Sequence, residues 1–233
     1  MKISICIPSY NQSQYLNSAI SSALDQTVKA HEVIVVDDGS TDNSLAIAKS
    51  YEGVKVISQT NRGLPSARNT GILNATGEFC LFLDADDMLL EKAVERITEV
   101  AEKTNADIIS PSLKCFGLAQ DEIILMENPT IEDFKIANRI GYMSCFRKTA
   151  LLEVGGYSPR MTWGAEDYHL TINLLNRGYK LVTIPEVLWL YRVKENSMWK
   201  ETQNHKEEFM KQIAKDFPQI FPKVGEMKTS LPK

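Results

Sequence analysis

Short apolar runs alternate with amphipathic segments through the first half of the 233-residue chain, and this alternation constrains the fold most strongly. The run at 32–36 is continuous and β-branched after its first residue, as expected for a strand that is buried on both faces. Strands that alternate with helices form βαβ units, so we expect an α/β fold with a mostly parallel, Rossmann-like central sheet flanked by helices. The predicted strands are 3–7, 32–36, 54–58 and 79–83, and the predicted helices that follow them are 16–24, 44–51, 64–74 and 89–101.

The second half of the chain is less regular. The mixture of polar and apolar residues at 116–128 is typical of either a hairpin or a loop, and the last ten residues are expected to form a loose tail. Two strands are expected on either side of Pro185, because proline interrupts an apolar run there. The predicted elements are strands at 107–110, 180–184 and 187–191 and helices at 166–177 and 207–217.

Bulk properties exclude several classes of protein. The formal charge of −4 argues against a nucleic acid as the main partner, since nucleic-acid binding needs a basic stripe. The four cysteines are widely spaced and form no C-x-x-C pair, so we expect buried free thiols and neither a zinc site nor a disulfide framework. No apolar stretch reaches about 18 residues, so no membrane span is predicted. We therefore expect a cytoplasmic protein, either free in solution or peripheral at the inner face of the cell membrane.

Polar clusters follow three of the predicted strands, at 8–11, 37–40 and 84–87. In open α/β sheets ligands bind beyond the carboxyl ends of the strands, and in a parallel sheet these three ends lie at one edge. Each cluster alone has a simpler interpretation, such as a strand exit or a turn with a helix cap. Together they predict a nucleotide and metal site at this edge.

The cluster Asp84-Ala85-Asp86-Asp87 carries three carboxylates directly after an apolar run. Burying them without a counter-charge is strongly unfavourable, so they must meet water, cations or a metal. Aspartates past a strand end are well placed to hold a hard divalent ion and, through it, phosphate oxygens. The alternative is a solvated turn that begins a helix. The chain has neither G-x-G-x-x-G nor G-x-x-x-x-G-K-[ST], so a metal would have to neutralise any bound phosphates.

The order of these motifs resembles that of the family 2 glycosyltransferases, which have the GT-A fold, and the resemblance covers about residues 3 to 197. It implies an inverting glycosyltransferase that moves a sugar from a nucleotide sugar, usually UDP-linked, to an acceptor hydroxyl. The acceptor would be a surface polysaccharide or a lipid-linked or protein-linked glycan. The matching segments are Ile-Pro-Ser-Tyr-Asn at 7–11, Val-Val-Asp-Asp-Gly-Ser-Thr-Asp at 35–42, Asn-Arg-Gly at 61–63, Ala-Arg-Asn at 67–69 with Gly71, Asp-Ala-Asp-Asp at 84–87, Trp-Gly-Ala-Glu-Asp at 163–167 and Tyr-Arg at 191–192.

The resemblance also implies a role for each motif. Asp86 would be the main ligand of Mn²⁺ or Mg²⁺, and Asp167 would be the general base. On the acceptor side, the implied residues are Trp163, Gly164 and Glu166. The remaining residues would bind the donor: Pro8, Tyr10 and Asp38 at the base and ribose, Asp84 at the ribose, and Ser9, Gly63, Arg68 and Ala85 elsewhere along the nucleotide.

These roles are chemically consistent. A nucleoside diphosphate leaves poorly unless its growing negative charge is offset, and a divalent metal can do this as a Lewis acid. A carboxylate that accepts the proton of the attacking hydroxyl contributes about 10²–10⁴-fold. Inversion needs only one such carboxylate opposite the leaving group. The alternative for Glu166 and Asp167 is that two acids simply stabilise the start of a helix.

One position departs from the pattern of the family. Many relatives have a histidine a few residues after the Tyr-Arg pair as a further metal ligand, and Lys194 stands there in this chain. A charged ammonium has no lone pair for a metal. Lys194 is therefore expected to contact the diphosphate as a point charge, and we expect weaker metal dependence.

Two other functions remain open from the sequence. A nucleotidyltransferase on a similar fold would need a basic, glycine-rich loop near the N-terminus, which 8–11 does not offer. A non-catalytic module that binds nucleotide sugars would tolerate loss of Asp86 or Asp167, yet both are present. For the glycosyltransferase we predict a nucleotide-sugar-binding half at 1–105, an acceptor-binding half at 106–200, and a C-terminal helix and tail at 201–233.

Overall fold

A computed structural model describes residues 1–162, 164–195, 202 and 204–222, and the fold is given for that part of the chain. Trp163 and the expected tail at 224–233 lie outside the described residues. The strands are β1 (Ile3–Ser9), β2 (Glu32–Asp37), β3 (Val54–Ser58), β4 (Phe79–Phe82), β5 (Met88–Leu89), β6 (Ile108–Gly117), β7 (Glu122–Ile123), β8 (Cys145–Arg147) and β9 (Leu181–Val193). The helices are α1 (Leu16–Leu24), α2 (Ser44–Lys49), α3 (Leu64–Asn74), α4 (Ala93–Thr104), α5 (Ile131–Phe134), α6 (Lys148–Glu153), α7 (Glu166–Asn176) and α8 (Lys206–Asp216).

The strands of the described residues form one sheet in the order β3-β2-β1-β4-β8-β6-β9-β5, with β7 paired to β6. One parallel block contains β3, β2, β1 and β4, and a second contains β6 and β9. Strand β8 lies between β4 and β6 and pairs with both in the antiparallel direction, which joins the two blocks. The predicted α/β fold with a mostly parallel sheet is confirmed.

The sheet is covered on both faces by helices. Ile5 and Ile7 of β1 pack into a cluster with α1, α2 and α4, whereas Cys6 between them packs into a second cluster with α3, α6, α7 and α8. Side chains alternate between the two faces of a strand, so a continuous apolar run is what a strand between two helical layers requires. All four cysteines are free and buried, as expected.

Helix α3 lies unusually close to β1 because of Gly71. A Cβ at this position would lie 3.2 Å from both Cβ and Sγ of Cys6, which is closer than most such contacts. Glycine therefore allows the helix to approach the strand without displacing it. Arg68 is three residues earlier in the same helix and is also buried, so this close approach carries its side chain into the interior.

The helix expected at 89–101 begins later than predicted, at Ala93. Met88 and Leu89 form the short strand β5 and pair with Leu190 and Trp189 of β9. The prediction was wrong here because an apolar pair at a helix start is indistinguishable from an apolar pair that adds to a distant sheet edge.

The two strands expected around Pro185 are one strand, β9. Its pairing with β6 shifts register twice. Between Pro111 and Ser112 the partners are Ile184 and then Val187, and between Ser112 and Leu113 they are Val187 and then Trp189. Residues 185–186 and residue 188 are therefore left outside the ladder. Proline has no N–H to donate, and a bulge accommodates it without ending the strand.

The region left open at 116–128 contains a hairpin, because β7 pairs antiparallel with β6 through Leu113 and Ile123. Strand β6 itself extends well past residue 110, where its predicted end lay. Among the described residues no helix is both long enough and apolar enough to cross a membrane.

The central position of β4 predicts a large packing cost for truncation there. Leu81→Ala is expected to lower the free energy of unfolding by about 2–5 kcal/mol, because Leu81 is 0% exposed between the two helical layers. The matched control is Leu73→Ala, since Leu73 on α3 is 71% exposed and its truncation should change stability by about 0.5 kcal/mol or less. Urea unfolding of both variants measures the difference. Equal losses would contradict the assigned core.

Candidate active site

The carboxyl ends of β1 and β2 are adjacent, and the loops that follow them are bonded to each other. The backbone N–H of Asn11 donates to Ser40 Oγ at 3.0 Å, and the N–H of Thr41 donates to Asn11 Oδ1 at 2.8 Å. Asn11 adopts a positive φ of 52°, which asparagine tolerates better than most residues. Two of the three polar clusters predicted from the sequence therefore form one connected rim.

Ser9 and Asp37 are register partners at the ends of these strands. Ser9 Oγ and Asp37 Oδ1 are both buried and have no hydrogen-bond partner among the described residues. Buried polar groups are normally paired, so this rim has unused hydrogen-bonding capacity. Beside it, Pro8 is buried and the ring of Tyr10 is exposed.

Asp38 is buried and holds the loop that leads into α3. Its Oδ1 accepts from Gln59 Nε2 at 2.7 Å and from the N–H of Arg62 at 3.0 Å, and its Oδ2 accepts from the N–H of Gly63 at 2.8 Å. Gly63 has a φ of 85°, which favours glycine, and it precedes the first turn of α3. The structure thus links Asp38 and Gly63 directly, and the predicted contact of Asp38 with a base stays a prediction.

Arg68 joins the two halves of the chain. Its Nη2 donates to Asp84 Oδ1 at 2.8 Å, and its Nη1 donates to Glu166 Oε1. The guanidinium also lies 5.3 Å from the ring centroid of Tyr142 and 5.2 Å from that of Tyr157. Burial disfavours the charge, yet the two carboxylates raise the pKa of Arg68 above its ordinary value. A fully buried arginine therefore remains cationic between two acids and two aromatic rings.

The acidic residues after β4 differ in environment. Asp84 has 26% of its side chain exposed and pairs with Arg68, and burial raises the pKa of its carboxyl to about 6 although Arg68 opposes the shift. Asp87 is buried and accepts from the hydroxyl of Tyr142 and, at 2.6 Å, from the N–H of Arg192. Burial also raises the pKa of Asp87. Asp87 is therefore a structural acid that ties the cluster to β9.

Asp86 is contacted through its backbone by Arg192 of β9 and through its side chain by Lys194, which directly follows β9. Its backbone carbonyl accepts from Arg192 Nε at 2.8 Å, and its carboxylate oxygen Oδ2 lies 2.5 Å from Lys194 Nζ. The guanidinium of Arg192 lies between two rings, 4.4 Å from the centroid of Tyr15 and 4.3 Å from that of Phe116. In the structure Lys194 pairs with Asp86, and its predicted contact with a diphosphate stays a prediction.

A cavity of about 470 Å³ lies beside this pair. Its wall is formed by the start of α1 and the ends of β6 and β9. The lining residues are Tyr15, Gly117, Leu118, Arg192, Val193, Lys194 and Glu195.

The acids of this edge do not form a metal site by themselves. Among the described residues no group of three His, Cys, Asp or Glu side chains is arranged to hold a metal ion. Asp84 is paired with Arg68, Asp87 with Tyr142 and Asp86 with Lys194. Asp86 is the candidate metal ligand, because its partner is a lysine on a flexible side chain. Mg²⁺ is often held by one or two carboxylates together with substrate phosphates. The donor set fits a metal that binds with a diphosphate.

Glu166 and Asp167 begin helix α7, directly after Ala165 with its φ of 59°. Glu166 turns inward to Arg68, whereas Asp167 is half-buried and its Oδ2 accepts from Asn138 Nδ2 at 3.0 Å. Burial and the neighbouring Glu166 raise the pKa of Asp167 to about 6. A carboxylate with this pKa is mostly ionised at neutral pH and remains basic enough to accept a proton. Gly164 is buried next to this helix start.

Three residues of the site were missed from the sequence. Tyr142 and Tyr157 enclose Arg68, and Asn138 holds Asp167. The hydroxyl of Tyr157 is buried and has no partner among the described residues. All three come from the irregular stretch between β7 and α7, where no motif or periodicity marks them.

The sequence matches a known protein family over more than half of its length. The family model described as Glycosyl transferase family 2 matches residues 4–160. The poly(ribitol-phosphate) beta-glucosyltransferase of Bacillus spizizenii is 35% identical over 208 residues, which are 84% of this chain and 33% of that protein. The chain thus spans about a third of the length of that relative.

Solved structures match the fold over most of the chain. The S. aureus TarS structure in complex with UDP-GlcNAc matches with a TM-score of 0.79 at 21% identity. The match covers 94% of this chain and 67% of the TarS chain. The mannosyltransferase PcManGT from Pyrobaculum calidifontis, in complex with GDP-Man and Mn²⁺, has a TM-score of 0.72 at 19% identity and the same coverage. These similarities confirm the predicted GT-A fold.

The pairing of Arg68 with two acids predicts a large effect of its removal on stability. Arg68→Met is expected to lower the free energy of unfolding by about 3–5 kcal/mol, because it leaves buried carboxylates without their counter-charge. Arg96→Met is the matched control, since it also breaks ion pairs with two glutamates but on the surface, where the loss should be about 1 kcal/mol or less. Urea unfolding compares them, and similar losses would contradict the role of Arg68.

Proposed function

The chain belongs to glycosyltransferase family 2, and on that premise we propose that it transfers a sugar from a nucleotide sugar to an acceptor hydroxyl with inversion at the anomeric carbon. The observation that carries the proposal is the shared arginine. Asp84 and Glu166 bind the same guanidinium, so the acidic cluster and the neighbouring Asp167 belong to one site. A donor diphosphate at the cluster and an acceptor at Asp167 would therefore meet.

The donor is proposed to be a UDP-sugar that lies along the carboxyl edge of the sheet. The exposed ring of Tyr10 offers a stacking surface for a base, and the unpartnered Ser9 Oγ offers a hydrogen bond. Pro8, Asp38, Gly63, Arg68, Asp84 and Ala85 remain the proposed donor-binding residues. Asp38 and Arg68 act mainly by positioning, since the described hydrogen bonds of Asp38 go to the loop at 59–63 and the ion pairs of Arg68 go to Asp84 and Glu166.

Asp86 is the proposed ligand of Mn²⁺ or Mg²⁺. When bound, the metal supplies Lewis-acid stabilisation of the diphosphate that leaves. The chain itself contributes the carboxylate of Asp86, the backbone clamp from Arg192 and the ammonium of Lys194. The guanidinium of Arg192 and the ammonium of Lys194 bring positive charge to the place where negative charge grows, and the carboxylate of Asp86 would hold the metal.

Asp167 is the proposed general base. The acceptor oxygen forms a bond to the anomeric carbon as the bond from that carbon to the diphosphate oxygen breaks, and the diphosphate leaves with the electron pair. Asp167 takes the hydroxyl proton. Asn138 orients the carboxylate by donating to Oδ2, which leaves Oδ1 for the acceptor. Glu166 faces Arg68 and is proposed to fix the helix start, and Gly164 with Trp163 would flank the acceptor.

The acceptor is proposed to be a glycan or surface polymer with free hydroxyl groups. The relative from B. spizizenii is named for a poly(ribitol-phosphate) acceptor, which supports a polyhydroxylated substrate. The cytoplasmic location, the peripheral membrane contact and the division of the chain at residues 105 and 200 stay predictions.

The assigned base and metal ligand predict a specific pattern of lost turnover. Release of nucleotide from UDP-, GDP- and TDP-sugars is measured with Mn²⁺, with Mg²⁺ and with chelator. Asp167→Asn is expected to lower kcat by about 10²–10⁴-fold with little change in donor KM, because it removes only the proton acceptor. Asp86→Asn is expected to lower kcat and also to remove the dependence of nucleotide release on the metal.

Asp25→Asn is the control for both variants, since Asp25 is exposed at the end of α1 and should leave kcat unchanged. Full activity of Asp167→Asn would refute the assigned base. Binding of UDP without release from any donor in the wild type, across several acceptors, would instead favour a non-catalytic binding module.

The environment of Asp167 also predicts the dependence of activity on pH. The base acts only when deprotonated, so kcat/KM should rise through a midpoint near pH 6 and then level off. Asn138→Leu removes an N–H that stabilises the charged carboxylate, so the pKa of Asp167 and the midpoint should move upward. Activity at pH 6 would then fall more than activity at pH 8. An unchanged midpoint, with thermal unfolding also unchanged, would exclude Asn138 as a positioning residue.

A further inference from the structure

Lys194 and Asp86 form an ion pair at the mouth of the site. Lys194 Nζ lies 2.5 Å from Asp86 Oδ2, with 25% and 20% of the two side chains exposed. The ammonium also lies 5.2 Å from the ring centroid of Tyr15, which adds a cation–π contact. The pair is thus partly shielded from water, and its attraction is stronger than that of a pair in bulk solvent.

With this pair, each carboxylate of the acidic cluster is neutralised or hydrogen-bonded by the chain itself. Asp84 has Arg68, Asp87 has Tyr142, and Asp86 has Lys194. Of the three partners, Arg68 and Tyr142 are held by packing within the protein, whereas Lys194 directly follows β9 and has a flexible side chain. Lys194 is the partner that can leave without disturbing the fold.

We propose that Lys194 is an internal cation that competes with a divalent metal for Asp86 and that pairs with the diphosphate of the donor when the metal binds. In the free protein the ammonium lowers the affinity of Asp86 for a metal. When a diphosphate is present, its oxygens attract the ammonium and release Asp86 for the metal. The second half of this inference rests on the proposed function, and the first half does not.

This exchange predicts opposite effects of removing the ammonium on two binding equilibria. Without Lys194, Asp86 has no competitor, so a metal alone should bind more tightly. A diphosphate without metal would lose its cationic partner and should bind more weakly. A residue that only stabilised the local structure would weaken both equilibria when removed, so the opposite signs are diagnostic.

The first arm measures Mn²⁺ alone by electron paramagnetic resonance of the free ion, with no nucleotide. Lys194→Met should bind Mn²⁺ about tenfold more tightly than the wild type, which corresponds to about 1.4 kcal/mol. Lys114→Met is the matched control, because it removes the same charge from a surface pair with Glu122 and should leave Mn²⁺ affinity unchanged. Adding Asp86→Asn to Lys194→Met should abolish the gain.

The second arm measures UDP binding in chelator by calorimetry. Lys194→Met should weaken it by about tenfold, and Lys114→Met should leave it unchanged. Equal or weaker Mn²⁺ binding by Lys194→Met would overturn the competition. Equal UDP binding would overturn the exchange with diphosphate. If the wild type binds no UDP with or without metal, the proposed function fails, and the Mn²⁺ arm alone decides whether Lys194 competes with the metal.

Discussion

The buried charge of Arg68 is the constraint on which the site depends. A guanidinium in the interior is strongly unfavourable unless carboxylates surround it, and these come from distant parts of the chain, Asp84 after β4 and Glu166 at the start of α7. The rings of Tyr142 and Tyr157 pack against the guanidinium and add cation–π contacts. Arg68 can therefore be buried without a large cost only where both halves of the chain meet, and this contact brings the acidic loop and the start of α7 together.

The acids of the site show how surroundings assign roles to identical side chains. Asp87 is buried, accepts a hydrogen bond from the hydroxyl of Tyr142 and has a structural role. Asp86 is partly exposed and pairs with Lys194, whose side chain is flexible. Glu166 and Asp167 are adjacent in sequence, yet one points to Arg68 and the other to Asn138. The helix turn separates them by about 100°, so one helix start provides both a structural and a reactive carboxylate.

Much of the fold could be predicted from the sequence, because β1, β2 and β4 are largely apolar runs that a sheet covered on both faces can bury. The edge that carries the motifs followed from the same topology. The short strand at Met88–Leu89 and the bulge at Pro185 could not be predicted, because each depends on a partner strand far away in sequence. Asn138 and Tyr142 were missed for a related reason, since a single amide or phenol in an irregular segment has no local signature.

The second register shift of β9, where Leu188 is skipped between Val187 and Trp189, changes which face of the sheet the later residues of the strand occupy. Beyond it, Tyr191 and Val193 pack against the core, whereas Arg192 and Lys194, two residues apart, contact Asp86. Side chains alternate along a regular strand, so inserting or deleting one residue between Trp189 and Arg192 would exchange the inward and outward sets. A change of two residues would preserve them. Insertions and deletions in this part of the chain should therefore be tolerated only as even numbers of residues, because only these keep Arg192 and Lys194 in contact with the acidic loop.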